Sequence, residues 1–196
     1  MKYTIFMGSP NHDGNTAALL RPFLDENQEM GIEQDVIWLY ERDVKPCLGC
    51  KAYQNVTDRL GCVQEDDFQM IFDSIQTSDV LVLATPIYSW YCTPPMKALM
   101  DRLIYAGCKY YGEKKQKSAY FMKQVATITT CGYSQDKGAD LWEEGLRRWC
   151  KHGEMDYLGM YCRRDTGKKD EFMNERVEFD VRDFAHALYV MVGHSL

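Results

Sequence analysis

Three short segments of this chain collect side chains able to hold a charged, flat small molecule. The first is GSPNHDGNT, Gly8 to Thr16, in which Ser9, Asn11, Asn15 and Thr16 offer hydroxyls and amides between two glycines. If a helix opens there, its free backbone N–H groups and its dipole favour an anion, and uncharged polar side chains suit a terminal monophosphate. The same residues could instead cap the helix while Gly8 and Gly14 turn the chain. The segment lacks the lysine of a Walker loop and the GxGxxG spacing of a dinucleotide fold, which disfavours ATP and a dinucleotide held in that way.

The second segment, TPIYSWYCTPP from Thr85 to Pro95, brings together Pro86, Ile87, Tyr88, Ser89 and Trp90. Aromatics on a proline-stiffened loop after a strand make a wall for a flat heteroaromatic ring, and an isoalloxazine fits it. They would also suit an interface between two copies of the chain. In the third segment, TTCGYSQDKG from Thr129 to Gly138, Thr130 and Cys131 precede Gly132, which allows close backbone approach, and Tyr133, which could cover the ring's other side.

A fourth group is Cys47, Cys50 and Cys62, a C-x2-C pair with a third thiol downstream. Soft ligands at such spacing could begin an iron–sulfur site or, with an outside histidine, a zinc site. Four ligands are the norm, so the three are read as a structural or redox-active thiol loop and no metal is assigned. His12, His152, His186 and His194 show neither metal spacing nor a triad pattern, and no side chain is assigned as a catalytic acid or base.

These segments must be positioned by a regular succession of elements. Strands are expected at Lys2 to Met7, Asp35 to Tyr40, Asp79 to Thr85, Gln124 to Thr130 and Met155 to Tyr161. Helices are expected from Asn15 to Met30, from Asp66–Asp67 onward, from Pro94 to Tyr105, from Lys137 to Lys151 and from Glu171 to Met191. The unbroken VLVLA run marks a central strand with both faces covered. Alternation of this kind means an α/β fold with a doubly wound, five-stranded parallel sheet, whose ligand crevice lies outside the carboxyl ends of the strands. The loops after the first, third and fourth strands are expected to line it.

The 196 residues are expected to form one domain. A net charge of −6 without any basic run argues against nucleic acid. The first residues are apolar for one strand's length only, so no membrane span or export signal is expected, a cytoplasmic location follows, and the eight cysteines should be reduced.

Taken as a set, GSPN followed by GNT, the TPIY loop with its downstream PPMKALMDR, and the TTCG loop resemble the NAD(P)H-dependent FMN reductases of the flavodoxin superfamily. That resemblance implies a flavodoxin-like three-layer fold with strand order 2-1-3-4-5 and FMN as cofactor. It also implies NADH or NADPH as co-substrate, a small acceptor such as a quinone, a flavin, a nitro or an azo compound, and a homodimer. By that resemblance Ser9, Asn11, Asn15 and Thr16 hold the phosphate, while Pro86, Ile87, Tyr88, Ser89 and Trp90 face the isoalloxazine. Thr130, Cys131, Gly132 and Tyr133 take the ring's second edge. The cysteine region resembles iron–sulfur flavoproteins, which carry a compact fourfold cysteine run; here Tyr53 stands where another ligand is expected. Two alternatives remain: a flavodoxin-type electron carrier, for which the acidity is only moderate, and a thiol or metal redox module using Cys47, Cys50 and Cys62.

Overall fold

A computed structural model describes residues 1–193; His194 lies outside them. The element order is β1 (Lys2–Met7), α1 (Asn15–Glu29), β2 (Glu33–Trp38), a 3-10 turn (Leu39–Glu41), α2 (Phe68–Gln76), β3 (Val80–Pro86) and α3 (Pro94–Gly107). It continues with β4 (Gln124–Cys131), α4 (Gln135–Gly138), α5 (Asp140–Gly153), β5 (Asp156–Arg164), α6 (Lys169–Phe172) and α7 (Glu175–Gly193).

All five strands pair in parallel in the order β2-β1-β3-β4-β5, the flavodoxin-like arrangement. The period of two along each strand sorts its side chains into two apolar layers. Tyr3, Ile5 and Met7 of β1 and Val80, Val82 and Ala84 of β3 pack beneath α1 and α7. Phe6, Leu81 and Leu83 turn to the other face, against α2, α3 and α5. Both faces are therefore dry, which is why β3 reads as an uninterrupted apolar run.

Element bounds moved where pairing outweighs local apolarity. β2 begins at Glu33, two residues before the expected Asp35, because it follows β1 in register from Lys2–Glu33 to Met7–Trp38 while Leu39 already turns into the 3-10 segment. The helix expected over Lys137 to Lys151 is divided at Ala139, whose φ of −126° is not helical. β5 runs on to Arg164 and carries an irregularity: Val125 faces Tyr157 but Ala126 faces Gly159, leaving Leu158 as the extra residue, with Gly159 at φ +143°. Among the described residues no helix is long and apolar enough to cross a membrane.

The order reverses between β1 and β3, and the crevice opens at their carboxyl ends. Gly8 closes its floor: its N–H donates to the Ala84 carbonyl at 2.7 Å. A Cβ there would lie 2.9 Å from Thr93 Oγ1, 3.1 Å from Thr85 Oγ1 and 3.2 Å from the Met96 methyl, so only glycine fits without displacement.

Candidate functional site

The chain leaves β1 through Gly8 and enters α1 at Asn15 without a side-chain cap. Gly14 occupies the N-cap position and, among the described residues, no side chain bonds the first-turn N–H groups. This disposes of the capping alternative, because the polar side chains of the loop are engaged elsewhere. The Ser9 hydroxyl accepts from the Asn11 N–H at 3.2 Å, and Asn11 Oδ1 accepts from the Asp13 N–H at 3.0 Å. Thr16, 2% exposed, shares a hydrogen bond of 2.9 Å with Thr130 Oγ1, pinning the helix start to the end of β4. The first turn of α1 contains no acidic residue. It therefore presents unsatisfied donors and the positive end of a fifteen-residue dipole to the crevice.

An open cavity of about 350 Å³ lies against this helix start, lined by Ser9, Asn11, Asn15, Thr16, Pro86, Tyr88 and Thr130 from the expected set. Three loops that are far apart in sequence thus converge on one hollow. Four further residues line it that sequence reasoning missed: Asp13, Gly14, Asp165 and Gly167. The last two belong to the loop after β5, which folds back through an Asp165 N–H to Cys131 carbonyl bond of 2.7 Å and a turn in which Gly167 N–H donates to Asp165 Oδ1 at 2.8 Å. The Asp-Thr-Gly turn signal was present, but nothing local reveals that this loop reaches back to α1.

Ile87, Ser89, Trp90, Cys131, Gly132 and Tyr133 do not line that hollow. Ile87 is half-buried against the core, its N–H bonded to the Thr130 carbonyl at 2.7 Å. Tyr88 and Tyr91 exchange backbone hydrogen bonds of 2.8 and 3.1 Å around Ser89 (φ +51°) and Trp90 (φ +65°), a two-residue turn of left-handed residues. Non-glycine residues held there carry strain of about 1 to 3 kcal/mol each, kept only where the surroundings over-determine it. Trp90 is so held: its Nε1–H donates to the Lys137 carbonyl at 2.9 Å, and its ring stacks on Tyr133 at 6.0 Å between centroids and 9° between planes. The pair staples the second loop to the third and leaves both rings about half exposed at the strand ends. Gly132 is exposed, with no atom within 4 Å of where a Cβ would sit, so the protein itself does not require a glycine there.

The thiols of these loops are buried, not poised. Cys131 turns between β4 and β5, 3.5 Å from Cys162 Sγ. Burial pushes the Cys162 thiol up to about 12, and likewise Cys92. His12 is exposed; its ring stacks on Trp38 at 3.7 Å and its Nε2 lies 2.7 Å from Glu41, clamping the first loop to the end of β2.

The cysteine loop stands on the other face, against α3. Gly61 packs on Tyr53 so closely that a Cβ would meet its Cβ at 2.7 Å, and this contact folds Cys62 back beside Cys47 and Cys50. Cys47, Cys50 and Cys62 line one small hollow with Gln64, Arg102 and Tyr105. Arg102 is 1% exposed and forked onto Asp66 (2.5 and 2.9 Å), whose side chain is buried, and Arg102 Nη2 also donates to Cys62 Sγ at 3.3 Å.

Comparison with known proteins agrees with this geometry. The family model described as NADPH-dependent FMN reductase matches residues 1–160. An iron–sulfur flavoprotein of Methanosarcina thermophila is 26% identical over 188 residues, 86% of this chain and 93% of that protein. One of Methanocaldococcus jannaschii is 35% identical over 103 residues, a stretch spanning about half of each, 52% and 51%. The crystal structure of an FMN-dependent NADH-azoreductase of Bacillus anthracis in complex with FMN superposes with a TM-score of 0.72 at 16% identity, covering 96% of this chain and 99% of that one, a likeness of fold. The names of the two relatives raise an iron–sulfur cluster, and the residues here do not fit one. Among the described residues no three His, Cys, Asp or Glu side chains converge as metal ligands, and Tyr53 follows the C-x2-C pair.

Proposed function

Because the chain belongs to the NADPH-dependent FMN reductase family, we propose that it is a flavin-dependent oxidoreductase that binds FMN in the crevice above β1, β3 and β4 and carries electrons from NADH or NADPH to a small acceptor. The observation that carries this reading is the uncapped start of α1 opening into the same hollow as Pro86, Tyr88 and Thr130.

The residues present fit a flavin monophosphate. The first-turn N–H groups of α1, with Ser9, Asn11 and Asn15, would hold the phosphate, and Thr16 holds the helix start in place through Thr130. Among the described residues no lysine, arginine or histidine lines the hollow, while Asp13 and Asp165 do. Away from the phosphate, these carboxylates can accept hydrogen bonds from neutral hydroxyls such as those of a flavin's ribityl chain. Pro86, Ile87, Tyr88, Ser89 and Trp90 would flank the ring on one side. Thr130, with the backbone of Cys131 and Gly132 and the exposed ring of Tyr133, would form the other edge, where the empty space at Gly132 admits a close ligand. FMN, when bound, supplies the two-electron chemistry, so the chain's own task is to bind, orient and keep water from one ring face. No side chain is needed as acid or base. An acceptor of the quinone, flavin, nitro or azo class would stack beside the half-exposed Trp90 and Tyr133. The same family reading carries a homodimer, which sedimentation would test.

The deciding experiment is the visible spectrum of the purified protein, offered FMN if colourless, before and after anaerobic NADH and NADPH. Flavin bands that bleach support the proposal. Bands that persist with both nicotinamides point to an electron carrier of the flavodoxin type, and failure to take up FMN removes the reading altogether.

A further inference from the structure

The cysteine loop has no part in the proposed flavin chemistry, yet it is built with care. Residues 42–67 contain no helix or strand, so their position depends on individual bonds. The Lys45 and Phe68 N–H groups donate to Asp66 at 3.0 and 3.1 Å, Arg102 Nη1 donates to the Lys45 carbonyl at 3.2 Å, and Gln64 Nε2 to the Pro46 carbonyl at 3.1 Å. The Gly49 N–H donates to Cys47 Sγ at 3.4 Å. These bonds bring the three cysteines to one hollow that Arg102 also lines.

A buried guanidinium beside a sulfur is costly unless it is used. Asp66 neutralises Arg102, and one of its Nη2 hydrogens is directed at Cys62, so an ionised Cys62 would find its donor in place. Arg102 Nε, fully buried, has no hydrogen-bond partner, an unspent donor on the wall of the same hollow. Access is graded: Cys62, Cys47 and, outside the loop, Cys162 are half-buried and Cys50 is exposed, whereas Cys92, Cys108, Cys131 and Cys150 are buried. A reagent from solvent can thus reach all three thiols of the loop, and of these Cys62 is the one with Arg102 behind it.

We infer that this loop is a second redox site, a thiol–disulfide centre in which Cys62, backed by Arg102, and one thiol of the Cys47/Cys50 pair cycle between dithiol and disulfide by exchange with low-molecular-weight disulfides. The Cys62 thiolate attacks one sulfur of a disulfide RSSR, the S–S bond breaks, and RS⁻ leaves and is protonated, giving a mixed disulfide. Cys47 or Cys50, as thiolate, then attacks the Cys62 sulfur and displaces the second RS⁻. The sum converts RSSR and two protein thiols into two RSH and one protein disulfide; the small disulfide gains the two electrons and two protons that the cysteines lose. The reverse steps with excess RSH restore the dithiol. The inference stands apart from the flavin reading, since neither step passes through the crevice.

The test equilibrates the full chain in glutathione buffers of increasing oxidised fraction, quenches with acid, alkylates under denaturing conditions and maps the cysteine peptides by mass spectrometry. The expected result is one disulfide joining Cys62 to Cys47 or Cys50, formed while Cys92, Cys108, Cys131 and Cys150 remain thiols. Arg102→Gln should slow mixed-disulfide formation at Cys62 about tenfold, the effect of losing roughly 1.4 kcal/mol of charge-assisted stabilisation. Since that variant leaves Asp66 buried without its partner and can fail to fold, Cys62→Ser serves beside it: with the attacking thiolate gone, Cys47 and Cys50 should remain thiols at the glutathione ratio that oxidises the parent chain. A Cys62 that stays reduced throughout, a disulfide confined to Cys47 and Cys50, or stoichiometric iron or zinc in the anaerobically purified protein would each overturn the inference.

Discussion

Replacing Asn15 by Asp tests the anion cradle with opposite signs in two measurements. Asn15 is the first residue of α1 and lines the hollow, and Asn→Asp is nearly isosteric. In the empty protein the new carboxylate meets an uncapped helix start, and this should stabilise the fold by about 0.3 to 1 kcal/mol. Against a phosphate of charge roughly −1.5 to −2 the same carboxylate repels. At about 5 Å the repulsion is about 0.8 kcal/mol per charge pair in water and about 3 at an effective dielectric of 20. Because the hollow is open, the lower end applies: about 1.5 kcal/mol, or roughly tenfold weaker FMN binding, is the floor. The assay is quenching of flavin fluorescence on titration with FMN and, in parallel, with riboflavin, plus thermal melting of the empty protein. FMN affinity should fall at least tenfold and riboflavin affinity should hold. Equal losses for both flavins, or none, would refute the placing of the phosphate at α1.

Three further outcomes follow from contacts already described. Gly8→Ala places a methyl group within 3.2 Å of Thr93, Thr85 and Met96, so stability should drop by about 1 to 3 kcal/mol and Tm by about 2 to 4 °C for each; an unchanged Tm would show that the crevice floor yields freely. Asp66→Asn leaves Arg102 charged and buried without its counter-ion, and denaturant unfolding should show a loss of about 3 to 5 kcal/mol. Burial alone would raise the Asp66 carboxyl, but the Arg102 fork and the Lys45 and Phe68 N–H groups outweigh it and hold it below the usual range. A depressed folded-state value stabilises above the unfolded value of about 4 and is lost as pH falls through the folded one, so native protein should weaken below about pH 4 and the Asn variant should lack that component. Trp90→Gly relieves the left-handed strain but removes the stack on Tyr133, and KM for nicotinamide or acceptor should rise about two- to tenfold, as expected for a lost aromatic contact of 0.5–1.5 kcal/mol; a KM that does not move would assign the pair a purely structural role.

The sheet and its helices were legible because the signals are local. The VLVLA run of β3, the Pro94–Pro95 opening of α3 and the glycines after β1 each depend on neighbours a few residues away, and all three elements lie where the pattern put them. The edge strand β2 was displaced because Glu33 and Gln34 owe their place to pairing with β1, not to apolarity. The loop after β5 was missed for a related reason. Asp165 and Gly167 look like an ordinary turn until β5 is seen to lie beside β4 and return the chain to the start of α1.

By itself, then, the sequence determined the element succession, the parallel order through its family likeness, and the three segments that meet at the strand ends, since periodicity, turn chemistry and helix starts are properties of short stretches. Tertiary structure alone decided how the polar groups are spent. Thr16 meets Thr130 across 114 positions and Arg102 meets Asp66 across 36, leaving α1 uncapped and Cys62 beside a guanidinium. Such pairings are chosen by which surfaces bury together, a property of the whole chain that no window of residues contains.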